Sequence, residues 1–136
     1  MAVKPKKSAI DLGIVTRNGD AMLRFYRDVL GFRHEGDISM EHIGIKVMHR
    51  LWFADSLIKI VVLVDDPEES AAPGGIPAAT GYRYWTMTIE NLDEILQAVE
   101  AAGCRIIWPR KEVRPGVVIA MVEDPDGNWV EFIEAS

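Results

Sequence analysis

A chain of 136 residues, 49% hydrophobic and 26% charged, suffices for one packed core and is too short for two independent domains. Its net charge of −6 and pI near 5.0 argue against a phosphate-backbone partner, no basic run exceeds the Lys4, Lys6, Lys7 cluster, and so no nucleic acid is expected. The single cysteine, Cys104, excludes an intramolecular disulfide and a cysteine-based zinc cluster; Asp11 interrupts the N-terminal apolar stretch and no apolar run reaches membrane-spanning length, so a cytoplasmic, soluble protein without membrane contact is expected.

In chain order, an apolar strand over Ile10 to Val15 leads into a helix that starts at Asn18 and stops at Gly31. Its stripe is Met22, Phe25, Tyr26, Val29 and Leu30, at the spacing of one helical face. Strands follow over Phe32 to Asp37, Ile43 to Phe53 and Leu57 to Val64, with Ala54, Asp55 and Ser56 as a tight turn. Asp65 to Gly81 is rich in Pro, Gly and Ala and aperiodic, which predicts an exposed connection, a plain linker in preference to a lid. A strand over Tyr84 to Ile89 then enters a helix from Asn91 to Gly103, with the stripe Leu92, Ile95, Leu96, Val99 and Ala102 and a capping-box-like Asn91 and Glu94. Arg105 to Trp108, Val117 to Val122 and Asn128 to Ile133 complete the set, the last two joined by the Asp124-Pro125-Asp126-Gly127 turn.

The second half repeats the first. Asn91 follows Asn18 by 73 positions and Gly103 follows Gly31 by 72. A repeat this long is a duplicated module. The reading is an α+β fold of two tandem βαβββ modules, residues 8–64 and 82–134, joined by 65–81 within one domain over 1–136.

Two phrases carry a resemblance. Phe25-Tyr26-Arg27-Asp28-Val29-Leu30-Gly31-Phe32 and Asp124-Pro125-Asp126-Gly127-Asn128-Trp129-Val130-Glu131 are similar to signatures of the vicinal oxygen chelate superfamily, which includes glyoxalases, bleomycin-resistance proteins and extradiol dioxygenases. The resemblance implies curved mixed sheets enclosing a ligand cavity. It also implies four inward positions that hold a divalent ion in metal-dependent members, and these fall on Asp11, Lys59, Tyr84 and Glu131. The duplication relates the same four, Asp11 to Tyr84 and Lys59 to Glu131.

A protonated lysine has no lone pair and neutral tyrosine is a poor ligand, so no metal ligand and no cofactor is predicted there, with a divalent metal as the minor alternative. Lys59 is instead expected to stand between Asp11 and Glu131, with the Tyr84 hydroxyl completing the network and relieving carboxylate repulsion. A two-residue turn at Ala54 and Asp55 would put Met48, Arg50 and Trp52 on the face of Lys59. Alternation puts Gly13 and Val15 beside Asp11, Thr86 and Thr88 beside Tyr84, and Trp129 and Ile133 beside Glu131. The predicted ligand contacts are Arg50, Trp52, Met48, Thr86 and Trp129, which suit a planar or aromatic small molecule bearing a carbonyl or carboxylate.

His34, His42 and His49 match no helical metal motif and read as surface or strand-packing residues; His42 or His49 would replace a missing ligand only if the strands were shifted by one. Ser8, Ser56 and Ser70 lack a nucleophile elbow, and Pro73-Gly74-Gly75 lacks the ending of a phosphate loop. The expected function is a metal-independent isomerase or lyase in which Glu131 or Asp11 moves a proton next to a carbonyl while Lys59 and Tyr84 stabilise the enolate. The alternatives are a non-catalytic drug- or metabolite-sequestering protein of the bleomycin-resistance type and a metal-dependent lyase or dioxygenase. A chain this small gains buried area by pairing, so a homodimer is expected.

Overall fold

The computed structural model describes residues 1–136 and contains two copies of one strand–helix–three-strand unit. The first comprises β1 (Leu12–Val15), α1 (Gly19–Leu23) continued by a π-helical segment (Arg24–Val29), β2 (Arg33–Met40), a 3-10 turn (Glu41–Ile43), β3 (Ile45–Phe53) and β4 (Ser56–Leu63). The second comprises β5 (Tyr84–Thr88), α2 (Leu92–Ala101), β6 (Ile106–Arg114), β7 (Val117–Glu123) and β8 (Trp129–Ala135). Each makes a four-stranded mixed sheet, ordered β1-β4-β3-β2 and β5-β8-β7-β6. The helix carries the chain across its sheet, so the strand before it ends beside the last strand of the unit; β1 runs parallel to β4 and β5 to β8, and hairpins make the other pairs antiparallel.

Both sheets pack their helix-covered faces into a single apolar cluster. Met22, Phe25 and Tyr26 from the first helical region meet Leu51, Ile58 and Ile60 from one sheet, while Leu92, Val99, Val130 and Phe132 come from the other unit. Phe32 and Tyr26 reach the Trp85 ring across the junction, with centroids 6.4 and 6.0 Å apart. One shared core explains why a chain this short can hold two units.

The first helix departs from the α-helix expected of its stripe. After one α-turn it widens, and Leu30 N bonds Phe25 O at 2.9 Å before Gly31, at φ 79°, turns the chain. Tyr26 is thereby fully buried, and its hydroxyl donates to Asp124 Oδ2 at 2.6 Å. Asp124 Oδ1 accepts from the backbone N–H groups of Asp126 and Asn128, and Thr16 donates to Asp126 Oδ2 at 2.5 Å. This polar bolt fastens the units. Burial pushes the Asp124 carboxyl above the usual range despite these bonds, and burial with the neighbouring Asp124 pushes the Tyr26 hydroxyl far up.

At α2 the capping box does not close. Asn91 Nδ2 bonds the Glu94 carboxylate at 3.0 Å, and Glu134 from β8 caps Leu92 N at 2.8 Å. Strand β6 runs to Arg114, beyond the expected end at Trp108, because it is an edge strand, where Pro109 removes no needed donor.

Residues 65–81 form an exposed connection that is anchored at several points. Arg17 donates to Pro67 O at 2.7 Å and to the Ser70 hydroxyl, and Arg83 donates to Gly75 O at 2.8 Å and Ala72 O at 2.6 Å. Gly75 lies flat on the Trp129 indole, where an added Cβ would meet ring atoms at 2.0 Å, and its φ of +64° disfavours any side chain. Gly75→Ala is therefore expected to lift the segment off Trp129, cost about 1–3 kcal/mol and speed proteolytic cleavage within 65–81. Unchanged cleavage and melting would contradict this packing.

Candidate functional site

Strand alternation leaves one face of each sheet outside the shared core. In the first unit the turn at Ala54 and Asp55 holds two residues, so Lys59 stands opposite Arg50, Leu57 opposite Trp52 and Val61 opposite Met48. Gly13 of β1 pairs with Lys59 on the other side. Ile58 and Ile60 point into the core, which fixes Lys59 on the uncovered face.

That face is basic and aromatic. Asp11 Oδ1 accepts from Lys7 Nζ at 2.9 Å and from Leu57 N at 2.8 Å; the Lys7 hydrogen bond, then that N–H, hold its carboxyl below the ordinary range, with Lys59 adding a smaller through-space pull. Trp52 donates to Glu35 at 2.9 Å and lies under Lys7 and the Arg33 guanidinium, 5.4 and 5.7 Å from its ring centroid. Arg50 Nη1 is 3.5 Å from Glu35, while Arg50 Nε is buried without a partner. Glu35 escapes a sequence reading because the β2–β3 register shifts between His34 and Gly36, so alternation counted through Gly36 fails.

In the second unit the uncovered face carries Tyr84, Thr86 and Thr88 from β5 and Trp129, Glu131 and Ile133 from β8, with Thr86 opposite Glu131. Thr86 donates to Glu131 Oε1 at 2.7 Å. Trp129 is 8% exposed beneath Gly75, its Nε1 has no partner, and Trp108 stands edge-on to it at 6.1 Å. Tyr84 is half exposed. Trp108 extends the aromatic wall at a place where the sequence marked only the end of a strand.

The four matched residues are divided two and two. Asp11 and Lys59 belong to one sheet and Tyr84 and Glu131 to the other, and no hydrogen bond or ion pair joins the pairs. The expected Lys59 network therefore does not close within one chain: Asp11 is taken by Lys7, and Glu131 by Thr86. The reason is topological, since these positions lie on the faces the shared core leaves out. A hollow of about 500 Å³ is lined by Val15, Thr16, Arg17, Ser70 and Asp126 among others, and none of the four borders it.

The donor set at these positions does not fit a divalent ion, because two of the four side chains are an ammonium and a neutral phenol and Asp11 is already hydrogen-bonded to a lysine. Neither His42 nor His49 supplies a substitute. His42 sits in the 3-10 turn, and His49, 8% exposed, is on the helix-covered face of β3. There it shares Asp37 with His34.

Comparisons with known proteins agree with this architecture. The family model described as Glyoxalase/Bleomycin resistance protein/Dioxygenase superfamily matches residues 10–132. A lactoylglutathione lyase of Haemophilus influenzae is 28% identical over 123 residues, 85% of this chain and 83% of that protein. An uncharacterised protein of Pseudomonas aeruginosa is 31% identical over 100 residues, 65% of this chain and 70% of that one. A solved glyoxalase family protein from Bacillus cereus superposes with a TM-score of 0.81 at 17% identity, covering 99% of this chain and 98% of that one.

Proposed function

Because the chain belongs to the glyoxalase/bleomycin resistance protein/dioxygenase superfamily, we propose that it works as a homodimer in which the uncovered face of one protomer's first unit closes against the uncovered face of its partner's second unit. The cleft so formed holds a small aromatic molecule bearing a carbonyl or carboxylate, and the chemistry is metal-independent isomerisation or lyase chemistry. The observation that carries this reading is the complementarity of the two faces. One presents Lys59 and Arg50, the latter with an unpartnered buried Nε; the other presents Glu131 fixed by Thr86, and Trp129 with an unpartnered Nε1. Buried donors without acceptors are costly, and a bound carbonyl or carboxylate oxygen would satisfy them.

In this cleft Glu131 accepts the proton from the carbon next to the carbonyl. Lys59 and the Tyr84 hydroxyl stabilise the negative charge that develops on the carbonyl oxygen, and Glu131 returns the proton to complete the isomerisation. Thr86 holds one Glu131 oxygen and leaves the other free to act. Asp11, tied to Lys7 and Leu57 N, positions the strand that carries Gly13 beside Lys59. Met48, Arg50 and Trp52 form one wall and Thr86, Trp108 and Trp129 the other.

A second reading has its own support. Trp52 under two cations and the edge-on Trp108–Trp129 pair provide stacking surface that serves a sequestering protein as well as an enzyme. No helix is long and apolar enough to cross a membrane, and the one cysteine, Cys104, half-buried with its thiol pushed up by burial, suits a reducing, cytoplasmic setting.

The test is sedimentation of the metal-stripped protein together with thermal-shift screening of aryl carboxylates and aryl 2-oxo acids, followed by solvent-deuterium exchange at the carbon next to the carbonyl of any binder. A dimer that binds such compounds and exchanges that proton supports the enzyme; binding without exchange moves the reading to sequestration. A monomer, or a dimer bound by none of them, would refute the composite cleft.

A further inference from the structure

We propose that His34, Asp37 and His49 form a site for one divalent transition-metal ion, of the zinc, cobalt or nickel class, on the helix-covered side of the first sheet. This does not rest on the functional reading above. His34 Nε2 and His49 Nδ1 each stand 2.7 Å from the same oxygen, Asp37 Oδ1, and the three donor atoms lie within 4.8 Å of one another. Two imidazole nitrogens and a carboxylate oxygen suit borderline ions; magnesium and calcium prefer oxygen-only sets.

The backbone is shaped to bring these three side chains together. Alternation alone would send His34 and Asp37, three residues apart on β2, to opposite faces. The bulge between His34 and Gly36 adds one residue, so that His34 stands opposite Leu51 and Asp37 opposite His49, on one side. Gly36 permits it with a φ of 126°, a conformation other residues rarely adopt.

His49 is held in place, its side chain 10% exposed and its Nε2 3.9 Å from where a Cβ on Gly19 of α1 would lie. His34 and Asp37 keep 21% and 44% exposure, which leaves further coordination positions to water. Metal–nitrogen and metal–oxygen bonds near 2.0–2.2 Å in a tetrahedral shell separate donors by roughly 3.3 Å. Loading therefore needs each nitrogen–oxygen pair to spread by about half an ångström and the two imidazole nitrogens, now within 4.8 Å of each other, to settle at that same spacing, shifts that the exposed Asp37 and His34 can make. Each ring would coordinate through the nitrogen now facing Asp37 and carry its proton on the other. The ion would then pin the edge strand β2 to β3.

Zinc titration of chelator-stripped protein, by calorimetry and by melting, tests this. The expected result is one zinc per chain and a raised melting temperature. His34→Ala and Asp37→Asn should each weaken binding by more than the roughly 10–100-fold that loss of an outer-shell partner costs, and should remove the thermal gain. Glu131→Gln should leave both. Absence of stoichiometric binding, or binding that survives both substitutions, overturns the proposal. Should a variant fail to fold, zinc-edge X-ray absorption of the wild type decides: imidazole scattering supports the site, and a shell without it refutes it.

Discussion

Co-expressed Lys59→Met and Glu131→Gln chains are expected to recover about a quarter of the wild-type ligand capacity, although each variant alone binds none. Random pairing in a twofold dimer makes about half of the dimers mixed. In a mixed dimer one cleft combines both defects and the other combines neither. The readout is calorimetry with whichever aryl carboxylate or aryl 2-oxo acid gives the largest thermal shift. A site contained within one chain would show no recovery, because every chain then carries a defect in its own site. The prediction follows from the division of Asp11 and Lys59 from Tyr84 and Glu131 between two sheets that share a core but no polar contact across their uncovered faces.

The second large effect is on stability. Asp124→Ala leaves the Tyr26 hydroxyl and the N–H groups of Asp126 and Asn128 without their acceptor in a place that is 4% exposed. Each unsatisfied buried group costs about 1–3 kcal/mol, and partial relaxation brings the total to about 3–4 kcal/mol. At roughly 3 °C per kcal/mol for a chain of this size, the melting point falls by about 10 °C. Asp124→Asn keeps an acceptor for the turn and removes the buried charge, so it should cost far less. The pH dependence has a definite sign. The folded-state pKa of Asp124 is raised, so its contribution to stability is greatest below the unfolded-state value and is lost as pH rises through the folded one. Over that interval the melting-point gap between Asp124→Asn and wild type should narrow with rising pH. Differential scanning calorimetry checks both statements; a melting point for Asp124→Ala within about two degrees of wild type would mean that Asp124 does not fasten the two units.

Much of this was legible in the residues because the recognisable phrases are structural. Phe25, Tyr26 and the Asp124 turn lie in the core and the bolt, where local spacing and packing constrain each other, and their contact through Tyr26 and Asp124 is what joins the two units. The uncovered faces were readable as well, since a two-residue turn fixes parity between Arg50 and Lys59. What escaped depends on non-local facts. Gly75 covers Trp129 through a contact with no periodicity to announce it. Glu35 and the His34–Asp37 pairing hang on a bulge that reverses alternation, and β6 passes through Pro109 because no strand lies beyond it. The closure of the Lys59 network could not be read from one copy of the sequence, since its two halves meet only between copies in the arrangement proposed here.

The alternation of each strand has one more consequence. Ile58 and Ile60 hold the sheet to its helix while Lys59, between them, bears none of that load; Val130 and Phe132 stand in the same relation to Glu131. Positions that hold the fold are thus interleaved with the positions proposed here for chemistry. Residues at positions such as 59 and 131 can be exchanged without disturbing a single core side chain, so the scaffold can vary what its uncovered faces carry while its architecture stays constant.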